Sequence, residues 1–307
     1  MDANLHLHSR FSDGSSWPED IALDAAGRNL AMVALTDHDT LGGSDRFAAE
    51  CGRLGLKAVC ACEIDVIEPE IDYRSEILAY FPHAALKDMT ATRALLADVL
   101  KGRRKRLEYY LYWSRTIFRR EDLCFEDILK DRLAGAEPLA EAAADSLSWS
   151  KVDLFLYLKA RGLLPPKSGY KDFKKDWFVP GRFPKYRLSK PTVAACVEAI
   201  HADSGLAVIP HFGHLWNDEA AAMERDAGNF EAKLRHFRAR GVDGMELYWY
   251  SGKKKTAEIN AFVEASAAPL GFFFTYGSDC HGPGTDKYTM DKFSGEFGGF
   301  PEKYARY

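Results

Sequence analysis

The chain has 307 residues, 47% of them apolar, which is enough to bury a large core, and its formal net charge is −4. That charge excludes the strong positive field by which proteins recruit duplex nucleic acid. No apolar run approaches the roughly 18 residues of a membrane span, and no basic and apolar leader precedes the first predicted strand. We therefore expect a cytoplasmic protein with neither a membrane nor duplex nucleic acid as a partner.

Short apolar runs rich in β-forming residues recur along the chain. We predict a strand at each of seven: residues 3–8, 31–36, 57–64, 75–81, 206–211, 242–248 and 271–277. Residues 18–28 and 43–54 have helical spacing, and Pro18 suits the first turn of a helix. Alternating strands and helices indicate parallel β/α units, and seven strands favour a barrel over an open sheet.

Residues 86–190 interrupt this alternation, because they are strongly helical in pattern and rich in Lys, Arg and aromatic residues. We predict an inserted helical subdomain at 88–185. The barrel would then be formed by residues 1–87 and 186–307.

Histidines and carboxylates gather at the ends of the predicted strands, where the sites of β/α barrels form. They are His6, His8 and Asp13, then His38, Glu63 and His211, and finally Asp279 and His281. A lone strand-end histidine is more often structural, but the coincidence of these clusters favours metal binding. Imidazole and carboxylate groups suit Zn, Mn and Fe. Because four histidines from separate strands exceed the need of one tetrahedral ion, we predict a multinuclear centre.

Three motifs carry a resemblance to a known family. They are His6-Leu7-His8-Ser9 with Ser12-Asp13-Gly14, then Leu35-Thr36-Asp37-His38-Asp39-Thr40, and Gly277-Ser278-Asp279-Cys280-His281-Gly282. They closely resemble the motifs of the PHP (polymerase and histidinol phosphatase) family, above all its stand-alone phosphoesterases with a helical insertion. The resemblance implies a distorted seven-stranded β/α barrel and a centre of two or three Mn, Fe or Zn ions.

Carried over by motif, the resemblance implies three sets of ligands. His6, His8, Glu63 and Asp279 would hold one ion, and Asp13, His38 and His281 another. Glu63 would bridge to a further ion, shared with His211 and a residue on the fourth strand. The family usually has a histidine there, whereas this chain has Glu76. Either Glu76 is a ligand, which we favour, or that position is weakly occupied.

Three residues are candidates for substrate binding. Where related phosphoesterases carry a Gly-Arg-Pro-His helix start, this chain reads Ser150-Lys151-Val152-Asp153, so Lys151 replaces the arginine. Arg104 belongs to a basic run that either binds phosphate or forms a solvated helix face. His214 would contact phosphate or the leaving group, or else support the ligands from behind.

The function implied is that of a metal-dependent phosphoesterase acting on a phosphomonoester or a small phosphodiester. The substrate would be a small phosphorylated molecule, with a nucleotide and a sugar phosphate both open. A metal-bridging hydroxide would be the nucleophile, and no side chain is predicted to be catalytic beyond it. Two alternatives remain: an amidohydrolase acting on C–N bonds, and a non-catalytic PHP domain stabilised by metal.

Overall fold

The computed structural model describes residues 2–83, 86–134, 144–249, 255–287, 289–290 and 300–306. The chain divides into two units. Unit 1 comprises Met1–Leu96 and Lys190–Tyr307, and unit 2 comprises Ala97–Ser189. The two units are taken in turn.

Unit 1 is built on one sheet whose main strands are hydrogen-bonded in chain order. They are β1 (Ala3–Leu7), β2 (Met32–Leu35), β3 (Lys57–Asp65), β4 (Glu76–Phe81), β5 (Leu206–Ile209), β6 (Gly244–Tyr248) and β7 (Phe273–Gly277), and a short β8 (Ala305–Arg306) pairs with β3. The backbone N–H of His8 donates to the carbonyl of Cys280 at 2.9 Å, so the segments that follow β1 and β7 meet and nearly close the sheet. The predicted seven-stranded distorted barrel is confirmed, each strand lying within two residues of its predicted bounds.

One strand runs against the others. β4 is antiparallel to both β3 and β5, so the prediction of uniformly parallel units is wrong at this strand. The connection from β3 to β4, residues 66–75, holds only a 3₁₀ turn at Pro69–Ile71, and parallel neighbours need a crossover of a dozen or more residues. The reversal pairs Glu76, the first residue of β4, with Asp65, the last of β3. Glu76 therefore lies at the edge where the other strands end.

The α-helices with described bounds are α1 (Pro18–Gly27), α2 (Ser44–Leu54), α3 (Ala91–Phe118), α4 (Phe125–Leu133), α5 (Lys151–Ala160), α6 (Tyr170–Phe173), α7 (Val193–Ala202), α8 (Ala220–Arg225), α9 (Ala227–Ala239) and α10 (Thr256–Ala267). Pro18 occupies the first turn of α1, as predicted. Across the described ranges, no helix combines the length and apolar character needed to cross a membrane.

The helices of unit 1 bury apolar stripes in clusters with the sheet. In α9, Phe230, Leu234 and Phe237 follow helical spacing and are fully buried in the largest cluster, to which α7 and α10 also contribute. Full burial of such side chains stabilises a fold by about 1.5–3 kcal/mol each relative to exposure. A second cluster joins α1 and α2 to β1 and β2 around Phe47.

Unit 2 contains most of α3 together with α4, α5 and α6. Ser150 caps α5: its Oγ accepts a hydrogen bond from the N–H of Val152 at 3.0 Å, and Asp153 accepts one from the N–H of Ser150 at 2.7 Å. The same aspartate is ion-paired with Arg132 of α4. Trp149 is buried and packs edge-on against Phe125.

Within unit 1, a buried carboxylate anchors the start of α3. Asp203, which follows α7, accepts hydrogen bonds from the backbone N–H groups of Thr90 at 3.0 Å, Ala91 at 3.3 Å and Thr92 at 2.6 Å. The first N–H groups of a helix have no partner within the helix, so this carboxylate satisfies them. Burial raises the pKa of Asp203, but the hydrogen bonds from Thr92, Thr90 and Ala91 lower it by more, and the net shift is downward.

We expect Asp203→Ala to lower the free energy of unfolding by about 1–2 kcal/mol at pH 7, because these N–H groups lose an ionised acceptor. A group whose pKa is lowered by folding stabilises above its unfolded value, so the difference from the wild type should shrink below about pH 4. Urea unfolding at several pH values measures this. Asp98→Ala, at an exposed position of α3, is the control. Equal urea midpoints for Asp203→Ala and wild type at pH 7 would contradict the anchoring role.

Candidate metal centre

The turn that follows β1 is held by one carboxylate. Asp37 accepts hydrogen bonds from Ser9 N at 2.7 Å, Ser9 Oγ at 2.6 Å and Ser12 Oγ at 2.5 Å. These bonds join the turn to the end of β2. They fix the position of Asp13, the next residue, at the edge of the barrel where the parallel strands end.

Four buried side chains converge at this edge: His6, His8, Glu63 and Asp279. Nε2 of His8 is 3.2 Å from Glu63 Oε2 and 3.1 Å from Asp279 Oδ1. Nε2 of His6 is 3.4 Å from the same Glu63 oxygen and 3.6 Å from the same Asp279 oxygen. This central group is the set that the sequence predicts for the first ion.

A second group, the Asp13 group, contains His8, Asp13, His38 and His281. Nε2 of His281 is 3.2 Å from Asp13 Oδ1, and Nε2 of His38 is 3.7 Å from it. Nδ1 of His38 also lies 3.2 Å from Glu63 Oε2. The structure thus brings together the three residues predicted for another ion and adds His8.

The third group, the Glu76 group, contains Glu63, Glu76 and His211. Nε2 of His211 is 3.2 Å from Glu63 Oε1, the oxygen that the central group leaves free. Burial, together with the negative charge of Glu63, raises the pKa of Glu76 to about 7. His8 and Glu63 therefore link the three groups into one centre, and all nine predicted ligands lie in it.

The acids of the central group are held in their ionised form. Burial alone raises the pKa of Glu63, but His6 and His38 lower it by more, to well below its usual value. The pKa of Asp279 is likewise lowered far below normal against the effect of burial, chiefly by Lys287. Both carboxylates are therefore available as anionic ligands at neutral pH.

A carboxylate on β6 orients two of the histidines. Oε1 of Glu246 lies 2.9 Å from Nδ1 of His6, and Oε2 accepts a hydrogen bond from the backbone N–H of His211 at 2.8 Å. A proton on Nδ1 leaves Nε2 of His6 as a free lone pair that faces the centre. His281 is oriented in a similar way, because its Nδ1 lies 2.9 Å from the carbonyl of Asp279.

The backbone is strained where two of the predicted ligands leave their strands. His211 has φ 27° and Asp279 has φ 51°, in the left-handed region that non-glycine residues seldom adopt. Nearby, a Cβ at Gly277 would lie 2.4 Å from Glu246 Oε1 and 2.4 Å from Cβ of His6. Only glycine lets β7 approach β1 and β6 this closely.

Three observations test whether these residues suit divalent ions. First, Asp13 Oδ1, Glu63 Oε2 and Asp279 Oδ1 are buried, and none of them accepts a hydrogen bond from the residues that the structure describes. Second, ligand atoms held about 2.0–2.2 Å from one ion lie about 3.0–3.6 Å from each other, and the central separations are 3.1–3.6 Å. Third, oxygen and imidazole nitrogen donors are those that Mn, Fe and Zn accept. The residues therefore fit the ions that the sequence implies.

Another cluster of acids in unit 1 differs from these. Glu68, Glu70 and His236 also lie close together and share no residue with the three groups. The guanidinium of Arg240 is 2.6 Å from Glu70 and 3.7 Å from Glu68, and so supplies a counter-ion. We do not count this cluster as part of the centre.

His214 lies beside the Glu76 group. Its ring stacks on that of His211 with a centroid distance of 4.2 Å and meets Tyr248 edge-on at 5.3 Å. Burial and the neighbouring His211 together lower the pKa of His214 to about 2. His214 is therefore a neutral imidazole next to a predicted ligand.

The two remaining predicted substrate residues lie in unit 2. Nζ of Lys151 is 4.1 Å from the ring centre of Phe178, and burial, Arg106 and Lys174 lower the pKa of Lys151 to about 8. Arg104 faces different neighbours: it pairs with Glu108 at 3.1 Å and Asp145 at 3.6 Å and covers the ring of Phe125.

Sequence reasoning missed three residues of the centre: Glu246, Asp37 in its anchoring role, and Lys287. Glu246 had a signal, because a carboxylate inside the buried run VDGMELY is costly unless it has polar partners. Asp37 was visible in the motif beside His38, but its partners are set by the turn after β1. Lys287 stands in a loop without a repeating pattern and had no signal.

Comparison with known proteins supports the resemblance to the PHP family. The family model described as the PHP domain matches residues 4–126 and confirms the resemblance. Over 63 residues, 20% of this chain, the sequence is 43% identical to the 3′,5′-nucleoside bisphosphate phosphatase of Chromobacterium violaceum. Over 66 residues it is 44% identical to the error-prone DNA polymerase of Mycolicibacterium paratuberculosis. The matches span 22% of the phosphatase and 6% of the polymerase.

Two solved structures share the fold along most of the chain. One, from Bifidobacterium adolescentis, is provisionally classed as a metal-dependent phosphoesterase; its TM-score is 0.67 at 20% identity, covering 94% of this chain and 90% of that one. The other, an amidohydrolase of Chromobacterium violaceum with bound sulfate, has a TM-score of 0.60 at 24% identity, covering 92% and 89%. At these identities the likeness concerns the fold.

We expect Asp279→Ala to weaken metal binding by more than about 100-fold. Loss of a residue that only supports the ligands lowers metal affinity by up to about 100-fold, and loss of a ligand should lower it more. The reason is that Asp279 Oδ1 lies 3.1 Å from His8 and 3.4 Å from His281, so this oxygen contacts both the central group and the Asp13 group. Metal content after dialysis is the measurement, with circular dichroism to check folding. Asp286→Ala, an exposed position in the loop that follows, is the matched control. Wild-type metal content in Asp279→Ala would contradict the assignment.

As a ligand, Glu76 would make the centre more negative than a histidine would, which would tighten binding of a hard cation but activate water less. We expect Glu76→Ala to bind fewer ions per chain, and Glu76→His to keep the ions while shifting the pH–rate profile to lower pH and raising turnover. Metal stoichiometry and pH–rate profiles of the three proteins decide this. If Glu76→Ala equals the wild type in both, Glu76 is not a ligand and two ions suffice.

Proposed function

We propose that the chain, whose residues 4–126 match the PHP-domain family model, is a metal-dependent phosphoesterase. It would hydrolyse a small phosphomonoester or phosphodiester, with nucleotides among the candidate substrates. The observation that carries the proposal is the position of Glu63. Its two oxygens face the Nε2 atoms of His6 and His8 on one side and of His211 on the other. One carboxylate between two sets of imidazoles suits a bridge between adjacent ions, and a pair of ions can stabilise both the attacking and the leaving oxygen of a phosphate ester.

The proposed ligands are those of the three groups. His6, His8, Glu63 and Asp279 would hold one ion, Asp13, His38 and His281 a second, and Glu76 with His211 a third shared through Glu63. When bound, Mn, Fe or Zn ions would neutralise phosphate oxygens and lower the pKa of water. The protein's contribution is to hold the ligands rigidly, which Glu246 and Asp37 support by orienting His6, His211 and the turn after β1.

Lys151 is proposed to bind the substrate from unit 2. Support comes from its surroundings: burial is the main cause of its lowered pKa, and two nearby cations, Arg106 and Lys174, lower that pKa as well, so Lys151 belongs to a cluster of like charge. Such a cluster becomes favourable when an anion binds. For Arg104 the support is weaker, because Glu108 and Asp145 already neutralise it, and Arg106 takes its place in the proposal. His214, a neutral imidazole beside His211, is proposed to donate a hydrogen bond to the substrate.

The proposal is tested by phosphate release from nucleotides, nucleoside bisphosphates, sugar phosphates and p-nitrophenyl phosphate, with Mn, Fe or Zn, and metal content measured on the same preparation. We expect turnover of at least one phosphate ester class that is lost on chelation and in Asp279→Ala. An amide panel runs in parallel. Hydrolysis of amides but not phosphate esters would make the chain an amidohydrolase, and metal binding without turnover of either would make it a non-catalytic domain.

A second arm addresses Lys151. Lys151→Ala should raise KM, or lower kcat/KM, by about 10-fold or more while metal content stays unchanged, since a charge-assisted contact to phosphate is lost. Lys167→Ala, an exposed position in the same unit, is the control. Loss of metal from Lys151→Ala would contradict a role in substrate binding alone.

A further inference from the structure

A short loop after the last ligand is built to a definite shape. The backbone N–H of His281 donates to the carbonyl of Lys287 at 3.1 Å, and the N–H of Lys287 donates to Oγ1 of Thr285 at 3.3 Å. Ser15, from the turn after β1, donates its N–H to the carbonyl of His281 at 2.8 Å and its hydroxyl to that of Pro283 at 2.8 Å. These hydrogen bonds hold the loop beside the centre and fix the backbone position of Lys287.

The side chain of Lys287 ends at the central group. Its ammonium donates to Oδ2 of Asp279, while Oδ1 of the same carboxylate faces His8 at 3.1 Å. The side chain is nevertheless 49% exposed, unlike the buried ligands around it. An ammonium has three donors, so one can hold Asp279 while the others face the open side of the centre.

We propose that Lys287 is a substrate-binding residue of this centre, which holds a non-bridging oxygen of the substrate phosphate. The proposal rests on the phosphoesterase function proposed above. It assigns to the barrel unit itself a phosphate-binding cation, in addition to those of unit 2.

Electrostatics distinguishes this role from that of a counter-ion. Lys287 touches a carboxylate whose other oxygen faces the metal ligands, so its positive charge lies close to the proposed ions and repels them. Bound ions would themselves keep Asp279 ionised, so the metal site alone does not need this ammonium. A phosphate dianion bound between the ions and the ammonium reverses the sign of the interaction, because it attracts both. Lys287 should therefore weaken metal binding slightly and strengthen phosphate binding strongly.

The experiment compares Lys287→Met, Lys287→Arg and wild type, with Lys255→Met as control, an exposed lysine paired with Glu258 at 2.9 Å. Two quantities are measured: Mn affinity of the metal-free protein, and affinity of the Mn-loaded protein for inorganic phosphate by calorimetry. We expect Lys287→Met to bind Mn at least as tightly as wild type and to bind phosphate about 10- to 100-fold more weakly. Lys287→Arg should recover most of the phosphate affinity.

Two results would overturn the proposal. Unchanged phosphate affinity in Lys287→Met would show that the ammonium does not contact phosphate. Weaker Mn binding in Lys287→Met would show that Lys287 only supports Asp279. If wild type hydrolyses phosphate esters while either result holds, only the role of Lys287 fails. If wild type neither binds phosphate nor hydrolyses any ester, the proposed function fails as well.

Discussion

Repulsion between buried carboxylates is the constraint on which the rest of unit 1 depends. Asp13, Glu63, Glu76 and Asp279 meet five imidazoles at one edge of the barrel, where most of them are shielded from water. Burying an ionised carboxylate without a compensating charge is among the largest costs in a protein interior. Protonated histidines offset part of it, since the pKa values of His6 and His8 are raised despite burial. Divalent ions would offset it more completely, with the same side chains as ligands.

The surrounding structure serves to hold these groups against that repulsion. Glu246 ties β1 to His211, two residues after β5, with a single carboxylate, and Asp37 ties the turn after β1 to the end of β2. Polar groups are thus buried in a core, where burying apolar side chains would cost less free energy. Gly277 and the left-handed backbone of His211 and Asp279 belong to the same arrangement, because each lets strands or ligands approach closely.

The sequence predicted the strands and eight of the nine clustered residues because both depend on local pattern: apolar runs set the strands, and residues two apart share a face. The ninth, Glu76, was predicted from the family resemblance. The direction of β4 was not accessible in the same way, since the alternation of side chains is identical in parallel and antiparallel strands. Only the ten-residue connection before Glu76, too short for a crossover helix, carried that information. The role of Glu246 depends on contacts with strands about 35 and 240 residues away, which no local pattern contains.

The pairing of His6 with Asp279 has a consequence for how the protein is assembled. About 270 residues separate these two groups, yet they lie 3.6 Å apart. An ion shared by them, as proposed, would act as a reversible cross-link that closes a very long loop, and links across long loops remove more entropy from the unfolded chain than links across short ones. During synthesis on the ribosome, the first histidines emerge long before their partners. The complete proposed ligand set would therefore exist only after β7 and His281 have emerged, which would make ion capture a late event in biogenesis.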